Sequence, residues 1–368
     1  MGEGEYNSHL FSICSEGRCT MNRFELQPLL IPSDEQIAIF NPGAGLQLDG
    51  TTVILFPRVV TEESYPNSFI GVCSVHSDGT HLKWLGRLQI TARTGNLHRD
   101  NFIMHCLKNG EEDVSVVQTL PGERVSLVVV GLKDPSYTPD NQALSVYGIL
   151  DLSSLQFEVT EMLTPEHLLD EGLDDRHVFP WKEWLISRPQ RAGGHYGTAS
   201  DYIDFFDGGP SKVRIQPITA ARSAGRVLLA SRPDRPWEAM KMGGVGFMLP
   251  YSGQRYPTGE MLLFYIGNEL EGKEKIYNLG LALVNEQAQV LARTNEPLLT
   301  PKDYPELLAT YSRDSFGRGR FGARKVLFCR GGWYTNGEYH LAVSINDLVT
   351  LLCHIPTGDI DDALEPIS

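Results

Sequence analysis

Apolar runs of roughly five to ten residues, rich in Val, Ile, Leu and aromatics, recur along most of the chain. They stand at 52–60, 68–76, 113–120, 124–132 and 143–152, and again at 226–231, 260–267, 279–284, 325–329 and 339–344. Enrichment in β-branched and aromatic residues over such lengths predicts strands. DG, NG, GG, PG and SG dipeptides separate the runs, the turn chemistry that joins antiparallel neighbours. Only 164–172 and 301–311 read as short helices, the first opening on Thr164 and Pro165. The order shows no strand–helix–strand alternation and no GxGxxG, which argues against a dinucleotide-binding fold.

The strands group into repeats. Asn41, Asp113, Arg176 and Gly243 open four similar strand–turn–strand units, 72, 63 and 67 residues apart, and a shorter fifth begins at Arg324. Five such units need about 340 residues, and radially repeated small sheets make a β-propeller. The prediction is an all-β chain, a five-bladed β-propeller over 31–368 preceded by an N-terminal extension at 1–30; an irregular pair of β-sandwiches is the alternative. The first strand of each blade lines a central funnel. The blade openings therefore bring Asn41, Glu112–Asp113, Arg176–His177 and Lys241 towards one pocket. A carboxylate, an amide and several cations together suit a neutral sugar plus an anion.

Charge narrows the choice. The chain carries 32 Lys and Arg against 46 Asp and Glu, a net charge of −14. This argues against a nucleic-acid partner, which demands a basic surface, yet allows a small basic pocket. No run approaches the roughly 20 apolar residues of a membrane span, and the N-terminus has no basic start followed by an apolar stretch. A cytoplasmic protein without a membrane partner is expected, with a homo-oligomer left open. Of six cysteines only Cys14 and Cys19 are close, with no CxxC, and Cys73 and Cys106 read as buried free thiols. His98, His105, His177, His195 and His340 show no HxH or HExxH spacing, so no metal is expected. The absence of GxSxG gives no support to a serine hydrolase.

Laid out blade by blade, the chain resembles glycoside hydrolase family 130, the mannoside phosphorylases and their relatives, over roughly residues 35–350. Carrying that resemblance are Asn41-Pro42-Gly43-Ala44, Phe56-Pro57-Arg58-Val59, Glu112-Asp113, Phe179-Pro180, Ser187-Arg188-Pro189 and Lys241-Met242-Gly243-Gly244-Val245-Gly246. Tyr277-Asn278-Leu279-Gly280-Leu281-Ala282-Leu283 and Arg293-Thr294-Asn295-Glu296-Pro297-Leu298-Leu299-Thr300-Pro301 follow in the family's order. Three positions depart from the family pattern. Val114-Ser115 replaces the Pro-Arg after the acid, Ile266 replaces the His of a Tyr-His-Gly segment, and a late Asp of many members falls at Asn336.

The resemblance implies an inverting phosphorylase that moves mannose reversibly between β-1,2- or β-1,4-linked manno-oligosaccharides and phosphate, giving α-mannose 1-phosphate. Inorganic phosphate is then a co-substrate and no cofactor is needed. Asp113 is the implied catalytic acid. Cleavage by phosphate needs only an acid, whereas inverting cleavage by water needs a second carboxylate as base. Asn41, Arg58 and Asn336 are the implied sugar ligands. Arg188 and Lys241, with Arg176 beside Asp174 and Asp175, are the phosphate candidates, because a dianion needs cationic donors. Since adjacent strand residues point to opposite faces, Glu112 is not expected to share the funnel with Asp113. Gly193–Gly197 reads as a blade loop at the site's edge, and Tyr196, Tyr251 and Trp333 are candidate sugar platforms. A β-mannoside hydrolase or GDP-mannose-dependent mannosyltransferase, and a non-catalytic glycan-binding propeller, are the rival functions.

Overall fold

The computed structural model describes residues 24–33, 35–65, 67–134, 142–192, 203–219, 223–272, 274–312 and 325–367. Among the described residues, five sheets of four or five strands follow one another along the chain, with a two-stranded pair, Leu173–Asp174 and Gln190–Arg191, beside the third. Blade I comprises Gln36–Leu46, Thr52–Thr61, Phe69–His76 and Lys83–Arg87. Blade II comprises Glu111–Leu120, Arg124–Leu132, Ala143–Asp151 and Gln156–Met162, with Gln89–Ala92 running parallel at its edge. Blade III comprises Val178–Trp181, Trp184–Ser187, Lys212–Pro217 and Arg226–Ala230. Blade IV runs Lys241–Pro250, Met261–Glu271, Glu274–Val284 and Val290–Thr294, edged by Leu364–Pro366. Blade V runs Leu327–Thr335, Glu338–Ile345 and Val349–Pro356, and its fourth strand is Leu26–Leu30.

The chain is therefore a five-bladed β-propeller, with the first strand of each blade innermost and touching its counterparts around the axis. Leu26–Leu30 corrects the expected boundary at residue 30. It pairs antiparallel with Val349–Pro356 and closes the ring with N-terminal chain, satisfying main-chain groups that an open edge would leave bare. Cores lie between blades, as where Ile54, Phe56 and Ile70 of blade I pack with Val114, Leu127 and Val129 of blade II. The inner strands pack backbone to backbone at glycines. A Cβ on Gly331 would stand 2.3 Å from the Ala44 nitrogen, and one on Gly246 2.5 Å from the Cys329 oxygen.

The helix Leu97–Asn109 was not signalled by periodicity. Asn96 caps it, accepting from the Arg99 amide at 3.1 Å, and Ile103, Cys106 and Leu107 face the blade II core. Cys73, Cys106, Cys329 and Cys353 are buried free thiols, whereas Cys14 and Cys19 lie outside the described residues, as does Gly193–Gly197 with Tyr196. No helix among the described residues is long and apolar enough to cross a membrane.

Four of the five inner strands break register where they approach the axis. The breaks fall between Phe40 and Gly43, Glu112 and Val114, Met242 and Val245, and Cys329 and Gly331. A bulge re-aims the side chains beside it. The residues so placed include Asn41, at φ +49°, Asp113 and Arg330.

Candidate active site

Asp113, Arg58 and Asn41 meet in one buried cluster at the funnel. Arg58 Nη1 donates to Asp113 Oδ1 at 3.3 Å, and Asn41 Nδ2 donates to the same oxygen at 3.4 Å. The Arg58 guanidinium lies over the Phe40 ring, 4.8 Å from its centroid, and its Nε donates to Ser68 Oγ. The backbone of Asn41 is pinned by a 2.6 Å hydrogen bond to Ser344 Oγ of blade V.

Glu112 is in the same cluster, contrary to the alternation expected of a regular strand. Arg58 Nη2 donates to Glu112 Oε1 at 3.2 Å. Glu112 pairs with Val130 and Val114 with Val129, so Asp113 is the extra residue of the bulge. The bulge lets consecutive acids address one guanidinium. Glu111 takes the opposite side, where it accepts from the Ile70 amide at 2.8 Å and from Arg87 at 3.1 Å.

A third carboxylate enters from blade V. Asp347 sits in the Asn346–Asp347 turn, where both residues have positive φ. Its pKa is pushed up to about 6, by burial first and then by the charges of Asp113 and Glu112; Arg58 and a hydrogen bond with Asn41 oppose the shift. Asn336 does not occupy this place. It is exposed, in the turn joining Leu327–Thr335 to Glu338–Ile345, at the other end of the blade. The late acid that joins this cluster is Asp347, which carries no sequence signal because it sits two residues beyond its strand, in a turn placed only by blade closure.

The cations gather beside this cluster. Arg188 and Lys241 are buried, and the same charges act on the buried imidazole of His177. Burial, then Arg188, Arg330, Lys241 and Arg176, hold the His177 pKa well below its ordinary value, so the ring is neutral. Burial, followed by Arg188 and Lys275, lowers that of Lys241. Arg188 Nη1 donates to Gln190 Oε1, and Gln190 Nε2 donates to Asp174 Oδ2 at 2.8 Å. Arg176 is held by acids: its Nε lies 2.9 Å from Asp174 Oδ1, and its Nη1 3.2 Å from Glu112 Oε2. It thereby connects the cation group to the Asp113 cluster.

Arg330, like Asp347, joins the candidate site without a sequence signal. Fully buried on blade V, it donates through Nη1 to His177 Nδ1 and the Val245 carbonyl, each at 2.9 Å, and through Nη2 to Ser115 Oγ at 2.9 Å. Because a guanidinium only donates, His177 Nδ1 must accept, which agrees with a neutral ring. Arg330 Nε lies 3.9 Å from Asp113 Oδ2. Where the family pattern has an arginine after the acid, this chain has Ser115, and the guanidinium at that serine comes from another blade. Ile266, in place of the family histidine, is core: it packs against Gly243 and lies in the apolar cluster between blades IV, V and I.

Two expected sugar platforms are elsewhere. Trp333 is buried, donating from Nε1 to the Ser77 carbonyl at 2.8 Å, and the Tyr251 hydroxyl binds Asp361.

Solved structures share this architecture. A β-1,2-mannobiose phosphorylase from Listeria innocua, in complex with β-1,2-mannobiose, superposes with a TM-score of 0.56 at 17% identity, over 92% of this chain and 96% of that one. The chain has the five-bladed fold of the mannoside phosphorylases. A mannose phosphorylase from Leishmania mexicana in complex with a phosphate ion gives 0.51 at 12% identity, covering 94% of each chain. A structure of the GH130 family of mannoside phosphorylases, which contains glycoside hydrolases that target β-1,2 mannosidic linkages in Candida mannan, gives 0.57 at 12% identity, over 94% and 96%. No protein-family model matches the chain, and no curated protein does. The mannoside-phosphorylase fold is thus visible in three dimensions at identities that leave little sequence trace.

Proposed function

We propose that this protein is an inverting phosphorylase of β-mannosides, with β-1,2-linked manno-oligosaccharides as its substrate class. The observation that carries the reading is the group of cationic side chains, Arg188, Lys241, Arg176 and Arg330, around neutral His177 and beside Asp113. Burial first, and then the charges of Arg188, Lys275 and Arg176, lower the pKa of Lys241. A phosphate dianion offsets such a gathering of positive charge, and buried donors hold it strongly.

Asp113, as the acid, gives its proton to the glycosidic oxygen, directly or through a sugar hydroxyl. A phosphate oxygen attacks the anomeric carbon from the opposite face. The bond to the leaving sugar breaks as the bond to phosphate forms, with inversion from β to α. The proton carried by hydrogen phosphate restores Asp113. Arg58 and Asn41 orient the acid and, with Asp347, present donors and acceptors to sugar hydroxyls. The neighbours' ligands, β-1,2-mannobiose in one and phosphate in another, support the pairing of substrates.

One observation favours a second reading. Asp347 shares Asn41 with Asp113, so a carboxyl group from another blade stands beside the proposed acid, as a hydrolase acting through water needs. Incubating the protein with β-1,2-mannobiose, with and without phosphate, separates the two. Phosphorolysis yields α-mannose 1-phosphate and mannose and stops when phosphate is omitted. Equal cleavage without phosphate, yielding mannose alone, would make Asp347 the base and the enzyme a hydrolase.

A further inference from the structure

At the end of blade V away from Asp113, three side chains on neighbouring strands face one another. Trp333, His340 and His354 are directly opposite in the ladder, and Glu338 lies two residues before His340 on the same face. We propose that Glu338, His340 and His354 bind a divalent late first-row metal ion of the zinc class, clamping blade V beside the turn of blade I that packs on it.

The donor atoms of the three residues lie within 4.8 Å of one another, with His354 Nδ1 3.9 Å from Glu338 Oε2. Ligands of a tetrahedral ion at 2.0–2.2 Å stand about 3.3–3.6 Å apart. The half-exposed Glu338 and partly exposed His354 can close that gap by side-chain rotation. Two imidazoles and a carboxylate form a donor set suited to zinc, copper or nickel rather than to calcium or magnesium.

His340 carries the strongest sign. It is 4% exposed, and its Nδ1 is buried with no hydrogen-bond partner. A buried ring nitrogen left unpaired beside a second imidazole and a carboxylate can offer its lone pair to a metal ion. The Trp333 ring stacks on His340 at 5.4 Å and 2°, and the His354 ring meets it edge-on at 4.7 Å. Nearby Asp78 adds a negative charge, itself held by Thr80 and His76. Local spacing gave no hint of this set because His354 joins it through the ladder.

The test uses the untagged full-length protein, stripped with a chelator and titrated with zinc against a chromophoric competitor at neutral pH. One equivalent should bind, and Glu338→Gln and His354→Ala should each weaken it at least about 100-fold. Both changes are at partly exposed positions; His340→Phe, which keeps the stack on Trp333, is the third arm. A hundredfold excess of zinc over Kd should raise the thermal midpoint of the unsubstituted protein by about 2–5 °C and leave the variants unmoved. The cobalt-substituted protein should show ligand-field absorption without thiolate charge transfer. Unaltered affinity in Glu338→Gln and His354→Ala would overturn the assignment. So would a thiolate band, which would place the ion on cysteine, or no binding tighter than that of the variants, which would leave a His354–Glu338 ion pair only.

Discussion

Asp113→Asn tests the proposed acid most directly. Asp113 Oδ1 accepts from Arg58 and Asn41, while Oδ2 faces Arg330 Nε at 3.9 Å. Asparagine keeps an oxygen for the first two donors but turns an NH2 group towards the guanidinium. Losing the charge-assisted contacts should cost about 1–3 kcal/mol of stability, too little to unfold a chain of this size. The chemical loss is larger. General acid catalysis contributes typically 10²–10⁴-fold, or roughly 3–5 kcal/mol of barrier. Initial rates of phosphorolysis should fall by that factor on β-1,2-mannobiose, whose leaving alkoxide needs a proton. An aryl β-mannoside with a strongly acidic phenol needs none, so its rate should fall less than about tenfold. The reasoning is refuted if both substrates lose equally, or if the variant keeps more than about a third of its rate on mannobiose. Glu112, held by Arg58 and Arg176, would then be the acid to examine.

Arg188→Ala should raise the KM for phosphate, and that for mannose 1-phosphate in synthesis, by about 10- to 150-fold, the value of one charge-assisted contact; initial rates in both directions check this, and unequal effects would separate the two anion sites. Arg330→Met leaves Ser115, the Val245 carbonyl and Asp113 without their shared donor, so calorimetry should show a loss of about 3–5 kcal/mol, and a loss below about 1 kcal/mol would mean that Arg330 does not tie the blades. Asp347 has a folded pKa near 6 against an ordinary 3.8. The folded chain therefore holds a proton between pH 4 and 6 that the unfolded chain has lost, and stability falls as pH rises through that window. Above pH 6 the charged form costs about 2 kcal/mol, allowing for its partial exposure. Asp347→Asn should accordingly raise the urea midpoint at pH 7.5, with the difference vanishing near pH 4.

The propeller was legible in the sequence because its signals are local. Strand runs such as 124–132 and 143–152 match Arg124–Leu132 and Ala143–Asp151 closely, since apolar enrichment and turn dipeptides act within a few residues. The unit spacing then counted the blades, the openings named Asn41 and Asp113, and the family resemblance added Arg58; the fold does bring these three together. Tertiary structure decided the rest. Whether Glu112 and Asp113 face one guanidinium depends on a bulge, and a bulge is a property of the paired strand, not of one segment. Arg330 and Asp347 reach the Asp113 cluster from blade V, more than 200 residues after Asp113, and the Asn41 amide meets Ser344 across 303 positions. The N-terminal strand Leu26–Leu30 finds its place only when the ring closes on it. A chain encodes its strands through neighbours in sequence, but a funnel at the axis of five sheets is lined by residues that become neighbours only once every blade is in place.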